Sequence, residues 1–208
     1  MLPSTIPIFP LPNVVLFPAV FLPLHIFEAR YRQMLSDALR GDRIIGISLL
    51  KRQRSDGDAP AAVYPVGCAG LISHAEELPD GRSNIVLRGI QRFRIGWEEQ
   101  DRTYRRAHIE PLPERASETS RTNVRETRTQ LETLLAGRLE TFVGSGMVPA
   151  GMGDEDLVNT LSQYLDLEPV EKQALLERDD IASRSQALID LIQIRTLATS
   201  PSGGAGLQ

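Results

Sequence analysis

The chain is poor in the residues that most often carry chemistry. It has one cysteine, Cys68, and three histidines, His25, His74 and His108. A single cysteine excludes an internal disulfide framework and a four-cysteine metal site, and it fits a reducing compartment. Lysine is almost missing too. Lys51 and Lys172 are the only lysines and every other basic residue is arginine, which is permanently charged and cannot serve as a proton-accepting base. No GxxxxGK[ST] or GxGxxG run is present to cradle a phosphate, and no HExxH or GxSxG run to build a hydrolase. No apolar stretch approaches the length of a membrane span. The opening MLPSTIPIFPLP lacks a basic region and is broken by prolines, unlike a secretory leader. These absences point to a cytoplasmic chain that needs no cofactor.

What remains is the composition of a globular protein, with 41% hydrophobic and 24% charged residues over 208 positions. That length suffices for one substantial domain or two small ones. The net charge of -4 argues against a general nucleic-acid binder.

The character of the sequence changes near residue 112. Before it, β-like runs dominate. Pro7, Pro10, Pro12, Pro18 and Pro23 punctuate the first 23 residues, so the apolar residues between them lie in two short, partly edge-like strands. A helix is expected over 28–40, with Phe27, Tyr31, Met34, Leu35, Ala38 and Leu39 as its buried stripe and Gly41 as its C-terminal cap. RIIGISLL reads as a buried strand. AAVYPVGCAGLISHAEEL reads as a long strand bent at Gly67 or Gly70, and PDGR as a hairpin turn. In the returning strand, Phe93, Ile95 and Trp97 alternate with Arg92, Arg94 and Gly96, giving one buried face. About six strands and one early helix imply a small curved or barrel-like mixed sheet.

After residue 112 the pattern is helical. PERASETSRTN, residues 113–123, reads as a polar linker. Amphipathic helices are expected over 124–142, from Asp154, from Pro169 and over 181–197, broken once at GSGMVPAGMG. They would form a four-helix bundle over 124–199, followed by a tail at 200–208.

Few constellations invite a chemical reading. Cys68 and His74 stand six apart on one strand, the same face if that strand is regular, but two ligands do not hold zinc. Carboxylate pairs such as Glu76-Glu77 and Glu98-Glu99 sit beside turns. Arg82, Arg88, Arg92, Arg94, Arg102, Arg105 and Arg106 make a locally basic hairpin. It would track phosphates if exposed, or line the wet face of a sheet if paired with carboxylates. The junction PLHIFEARYRQML, residues 23–35, gathers His25, Glu28, Arg30 and Arg32. Glu28 suits a helix N-terminus and stands four residues before Arg32.

Several separated runs, in order, resemble the N-terminal domain of the Lon protease family: IPIFPLPNVVLFPAVFLPLHIFEARYRQML, VGCAGLI, LPDGRSNIVLRGIQRFRI, YRRAHIEPL and the helical LVNTLSQYLDLEPVEKQALLERDDIASRSQALIDLI. The resemblance implies an α+β fold: a β-rich, PUA-like pseudo-barrel over 1–112, then the helical subdomain. It also implies a stand-alone bacterial form without the ATPase and peptidase domains, and therefore no enzyme. Its expected role is to bind unfolded or extended polypeptide as an adaptor in protein quality control; RNA bound through the Arg82–Arg106 patch is the alternative. The candidate partner contacts are Glu28 and Arg30 at the rim of the β domain, with Arg88 and Arg92 of the hairpin.

Overall fold

A computed structural model describes residues 2–52, 61–99, 102–114, 118–136 and 151–199. In chain order the elements are β1 (Thr5–Leu11), β2 (Phe21–Ile26), α1 (Ala29–Arg40), β3 (Ile44–Leu49), β4 (Val66–Glu77), β5 (Ser83–Glu99) and β6 (Arg105–Leu112), then α2 (Glu118–Leu134), α3 (Asp154–Tyr164), α4 (Pro169–Leu176) and α5 (Ile181–Thr199). The mixed α+β architecture expected from the sequence is the one observed.

The strands run β2-β5-β4-β3-β1-β6, and β5 also pairs with β6. β5 makes this possible by its length of 17 residues. One edge pairs with β4 from Ser83 to Arg94. The other edge is shared: Ser83 to Arg88 pair with β2, and Arg92 to Glu99 with β6. Five strands therefore close a barrel, and β2 hangs beside it on the first half of β5. The parallel pair β1–β3 spans the crossover that carries β2 and α1, as a parallel pair requires.

The barrel closes on Ile6, Ile8, Ala69, Phe93, Ala107 and Ile109. Phe93 fills the interior because the strands around it carry glycine. A Cβ on Gly67 would stand 2.8 Å from the Phe93 ring and 2.4 Å from the Ile47 carbonyl. A second glycine places β2. A Cβ on Gly89 would lie 2.0 Å from the Phe17 carbonyl, so only glycine lets the Phe17–Ala19 turn rest on β5. Gly89 N–H then donates to the Val20 carbonyl and Ala19 N–H to the Gly89 carbonyl, which sets the register of β2.

α1 buries Tyr31, Met34, Leu35 and Ala38, as its spacing predicts. Gly41 caps its C-terminus as expected, its N–H returning to the Ala38 carbonyl. Gly41 has φ -107°, and the left-handed residue is Arg43 (φ 59°), whose N–H returns to the Ala38 carbonyl while its side chain donates to the Ile72 carbonyl. Phe27 is not part of the buried stripe: it precedes the helix and is 61% exposed. Trp97, expected on the buried face with Phe93 and Ile95, is 59% exposed, because the β5–β6 register shifts between Ile95 and Glu98 and ends the alternation.

The chain forms two compact units. One holds residues 1–114 and 159–177, the other residues 115–158 and 178–208. In the first, α4 is fastened to the strands: Gln173 Nε2 donates to the Val66 carbonyl at 3.0 Å, and Glu168 and Glu171 form a capping box at its N-terminus. In the second, α2 packs on α5 with Leu131, Leu135, Leu188 and Ile189 buried and Thr127 bonded to Ser185. Of the bundle expected over 124–199, the second unit holds the α2–α5 pair. An amphipathic stripe shows that a face is covered but not by what, and α4 reaches the strands through polar bonds, Gln173 to the Val66 carbonyl and Arg92 to the Leu176 carbonyl. α2 begins at Glu118, inside the segment expected as a linker. The expected continuation to residue 142 and most of the glycine-rich break lie outside the described residues.

Candidate functional site

Three strands build one exposed face in the first unit. β2 pairs with β5 as Phe21 with Arg88, Pro23 with Val86 and His25 with Asn84. β5 pairs with β4 as Arg88 with Leu71, Val86 with His74 and Asn84 with Glu76. Three rows therefore cross the face: Phe21, Arg88 and Leu71; Pro23, Val86 and His74; His25, Asn84 and Glu76. Leu22, Leu24 and Ile26 alternate with the β2 members of these rows and point the other way, with Ile26 fully buried. Phe21 is 50% exposed and Leu71 37%, and Phe27 extends the patch by stacking on His25 with centroids 6.1 Å apart.

The centre is a shallow depression of about 320 Å³ lined by Pro23, Leu24, His25, His74, Asn84, Ile85 and Val86. His25 Nδ1 donates to Asn84 Oδ1 at 2.8 Å, which leaves Nε2 as the free nitrogen of that ring. No carboxylate lines the depression, so it assembles no acid–base pair. His74 reaches it through a bulge. The β4–β5 register shifts between Ile72 and His74, so Ser73 is an extra residue, and Cys68 and His74 fall on opposite faces. Cys68 is buried. Among the described residues no three histidine, cysteine, aspartate or glutamate side chains are placed to hold a metal ion.

The free edge of β2 is blunted. Proline has no N–H, so Pro23 sits where the strand points its backbone away from β5, and Phe21 and His25 share that phase. The Phe21 carbonyl on this edge is already occupied by the Tyr164 hydroxyl, which donates to it at 3.0 Å. Little remains for an added strand to pair with, and the face is the better contact surface.

Of the residues singled out from sequence, Arg88 lies on this face between Phe21 and Leu71. Glu28 and Arg30 pair with each other at 2.9 Å, next to Phe27 in the chain, and the Arg30 guanidinium lies 4.5 Å from the Tyr31 ring centroid. The expected Glu28–Arg32 pair does not form. Glu28 caps α1 with extended backbone, outside the helical phase, and Arg32 donates to the Gly81 carbonyl instead. Arg92 is withdrawn from the surface. It is 3% exposed, 3.0 Å from Glu114, and donates to the Leu176 carbonyl at the end of α4.

The remaining arginines do not form an open cationic stripe. Arg82 pairs with Asp80, Arg102 with Asp37, Arg105 with Glu98 and Arg106 with Glu99. The Arg82 guanidinium holds the Asp80 carboxyl below its ordinary range. Two further depressions, of about 450 and 490 Å³, are lined by Arg102, Arg105, Arg106, Glu98 and Glu99 together with Asp37, Tyr31 and Tyr104, and Arg30 lines the second. Tyr104 donates to Asp37 at 2.8 Å, and burial, with that bond, raises its hydroxyl above the usual phenol range. These hollows are internally neutralised.

The sequence model of the ATP-dependent protease La (LON) substrate-binding domain matches residues 5–193. The chain belongs to the Lon substrate-binding domain family. The Lon protease of Cytophaga hutchinsonii is 27% identical over 198 residues, covering 91% of this chain and 24% of that protein. Lon protease 2 of Myxococcus xanthus is 24% identical over 196 residues, with 92% and 24% covered. The chain thus spans about a quarter of the length of these curated relatives, and the match is to their substrate-binding domain, not to a catalytic one. Two solved structures share the fold: the N-terminal domain of the Mycobacterium avium complex Lon protease, with TM-score 0.66, 18% identity and 91% of this chain and 98% of that one covered, and a Lon N-terminal domain protein from Xanthomonas campestris, with TM-score 0.60, 23% identity and 90% and 98% covered. No described helix of this Lon-family chain is long and apolar enough to cross a membrane.

The signal for the Lon-family face was partly in the sequence. Alternation in FLPLHI marks Phe21, Pro23 and His25 as one side of a strand. Nothing in the sequence marks Ser73 as a bulge, and without it His74 joins the wrong face.

Proposed function

We propose that the chain is a non-enzymatic polypeptide-binding module that acts in the cytoplasm as an adaptor in protein quality control. The observation that carries this reading is the face of Phe21, Pro23, Val86 and Leu71, with Phe27 beside it, on a chain of the substrate-binding family. Exposed aromatics on a strand whose register is fixed from behind give an apolar contact that needs little reordering to bind. Unfolded or extended polypeptide, with apolar side chains uncovered, is the occupant that suits it. Arg88 contacts the occupant directly, and Glu28 and Arg30 do so from the end of β2. Arg92 positions α4.

The test is fluorescence anisotropy with a labelled, reduced and alkylated unfolded protein. Micromolar binding that falls at least tenfold in Phe21→Ser/Phe27→Ser, with unfolding unchanged, is the expected result. Binding that is absent, or equal in the double variant, sinks the reading.

A further inference from the structure

The polypeptide-contact face carries fixed charge at its two ends, and the charges differ in sign. Arg88 stands in the first row and Glu76 in the last, beside Asn84. Neither has an ion-pair partner among the described residues, although nearly every other arginine of the hairpin does. Between them lie Pro23 and Val86, which carry no charge. Arg88 and Asn84 are four residues apart on β5, which is about 13 Å along an extended strand. An extended peptide lying along β5 repeats that spacing between its own residues i and i+4, and all of i, i+2 and i+4 face the same way.

We infer that this face selects extended segments in which a central apolar residue is flanked, two positions to each side, by one acidic and one basic side chain. The inference rests on the polypeptide-binding reading and adds the charge pattern of the client. The acidic group meets Arg88, the apolar one settles over Pro23 and Val86, and the basic one meets Glu76. Both orientations of the peptide satisfy this, because reversing the chain only exchanges i and i+4. A client with two like charges satisfies one end and is repelled at the other. Such exposed contacts are weak, so the expected discrimination is about two- to fivefold for each charge.

The experiment uses the full chain and three fluorescein-labelled peptides of equal length and equal central apolar residue, with flanking Asp and Lys, two Asp, or two Lys. Anisotropy is read in low salt and in 1 M NaCl. The mixed peptide is expected to bind about two- to fivefold tighter than either other peptide in low salt, with the difference lost in high salt. Glu76→Lys is expected to shift the preference to the two-Asp peptide, and Arg88→Glu to the two-Lys peptide, with circular dichroism confirming that both variants fold. Equal binding of the three peptides overturns the inference and leaves the polypeptide-binding reading standing. So does a preference that survives in both variants, since the charges would then be read elsewhere. Failure of every peptide and of unfolded protein to bind overturns both.

Discussion

β5 is one continuous strand with two different lives. Its first half, Ser83 to Arg88, pairs with β2 and shows the solvent a face of Val86, Asn84 and Arg88 beside exposed Phe21. Its second half, Arg92 to Glu99, closes the barrel on β6. There most charges are spent inside the fold, Arg92 on Glu114, Glu98 on Arg105 and Glu99 on Arg106, while Arg94 stays exposed without an ion pair among the described residues. The same arginine-rich sequence thus holds charges that build structure and charges left for a partner. Comparing Arg92 with Arg88 separates the two. If the division is right, substitutions at Arg92 and its paired neighbours cost stability, and those at the solvent-facing residues of the first half cost binding alone.

The largest effect is expected at Phe93, which is fully buried at the barrel centre. Phe93→Ala removes a ring that Gly46 and Gly67 are shaped around. A loss of about 3–5 kcal/mol is expected in urea unfolding. Next comes Arg92→Ala. It strips the counter-charge from Glu114 and a donor from the Leu176 carbonyl. A loss of about 3 kcal/mol is expected, at the low end for a broken buried pair because the Glu114 side chain is only partly buried, at 18% exposed. A change under about 1 kcal/mol at Arg92 would erase the contrast with Arg88.

Tyr104→Phe is the third, and smaller. It removes the hydroxyl that donates to Asp37, worth about 1 kcal/mol. The same contact has a pH signature. The folded protein raises the Tyr104 hydroxyl above its unfolded value, so it favours the neutral form. Its stabilisation is fully present below the ordinary phenol range and is lost as pH rises through the higher folded value. Alkaline unfolding followed by tryptophan fluorescence should show a stability loss in the native chain that Tyr104→Phe lessens without abolishing, because burial also raises the Tyr31 and Tyr164 hydroxyls.

Much of this was legible in the sequence, and the limits have physical causes. The prolines placed β1 and β2 as extended segments, and the helical spacing placed α1, because backbone restriction and burial period are local properties; the edge-like reading held for β2 alone, since β1 pairs with both β3 and β6. Trp97 and His74 were misplaced for one shared reason. Period-two arithmetic holds only while a strand gains no residue, and the shifts at Ser73 and between Ile95 and Glu98 each reverse the phase. The partner of α4 was hidden for another reason. Gln173 and Arg92, which fasten it to the strands, are polar residues that a hydrophobic pattern counts as solvent-facing. Buried and unburied arginine look alike in sequence, so Arg92 and Arg88 stood together as contacts until their surroundings were known.

The smallest expected effect on stability is at the face itself, and it is the one that decides function. Phe21 and Phe27 expose half or more of their area, so little burial is lost when they become serine. Unfolding should shift by no more than about 0.5 kcal/mol for each. A larger loss would mean that these rings hold β2 in place, and the face would then belong to the structural half of the comparison. Stability unchanged with unfolded-polypeptide binding reduced tenfold, about 1.4 kcal/mol of binding free energy, would put the two halves of β5 at opposite ends of one scale. Glycine at 89 and proline at 23 keep the strand under these rings in register. Exchanging the rings for serine therefore changes what the face offers and not where it stands.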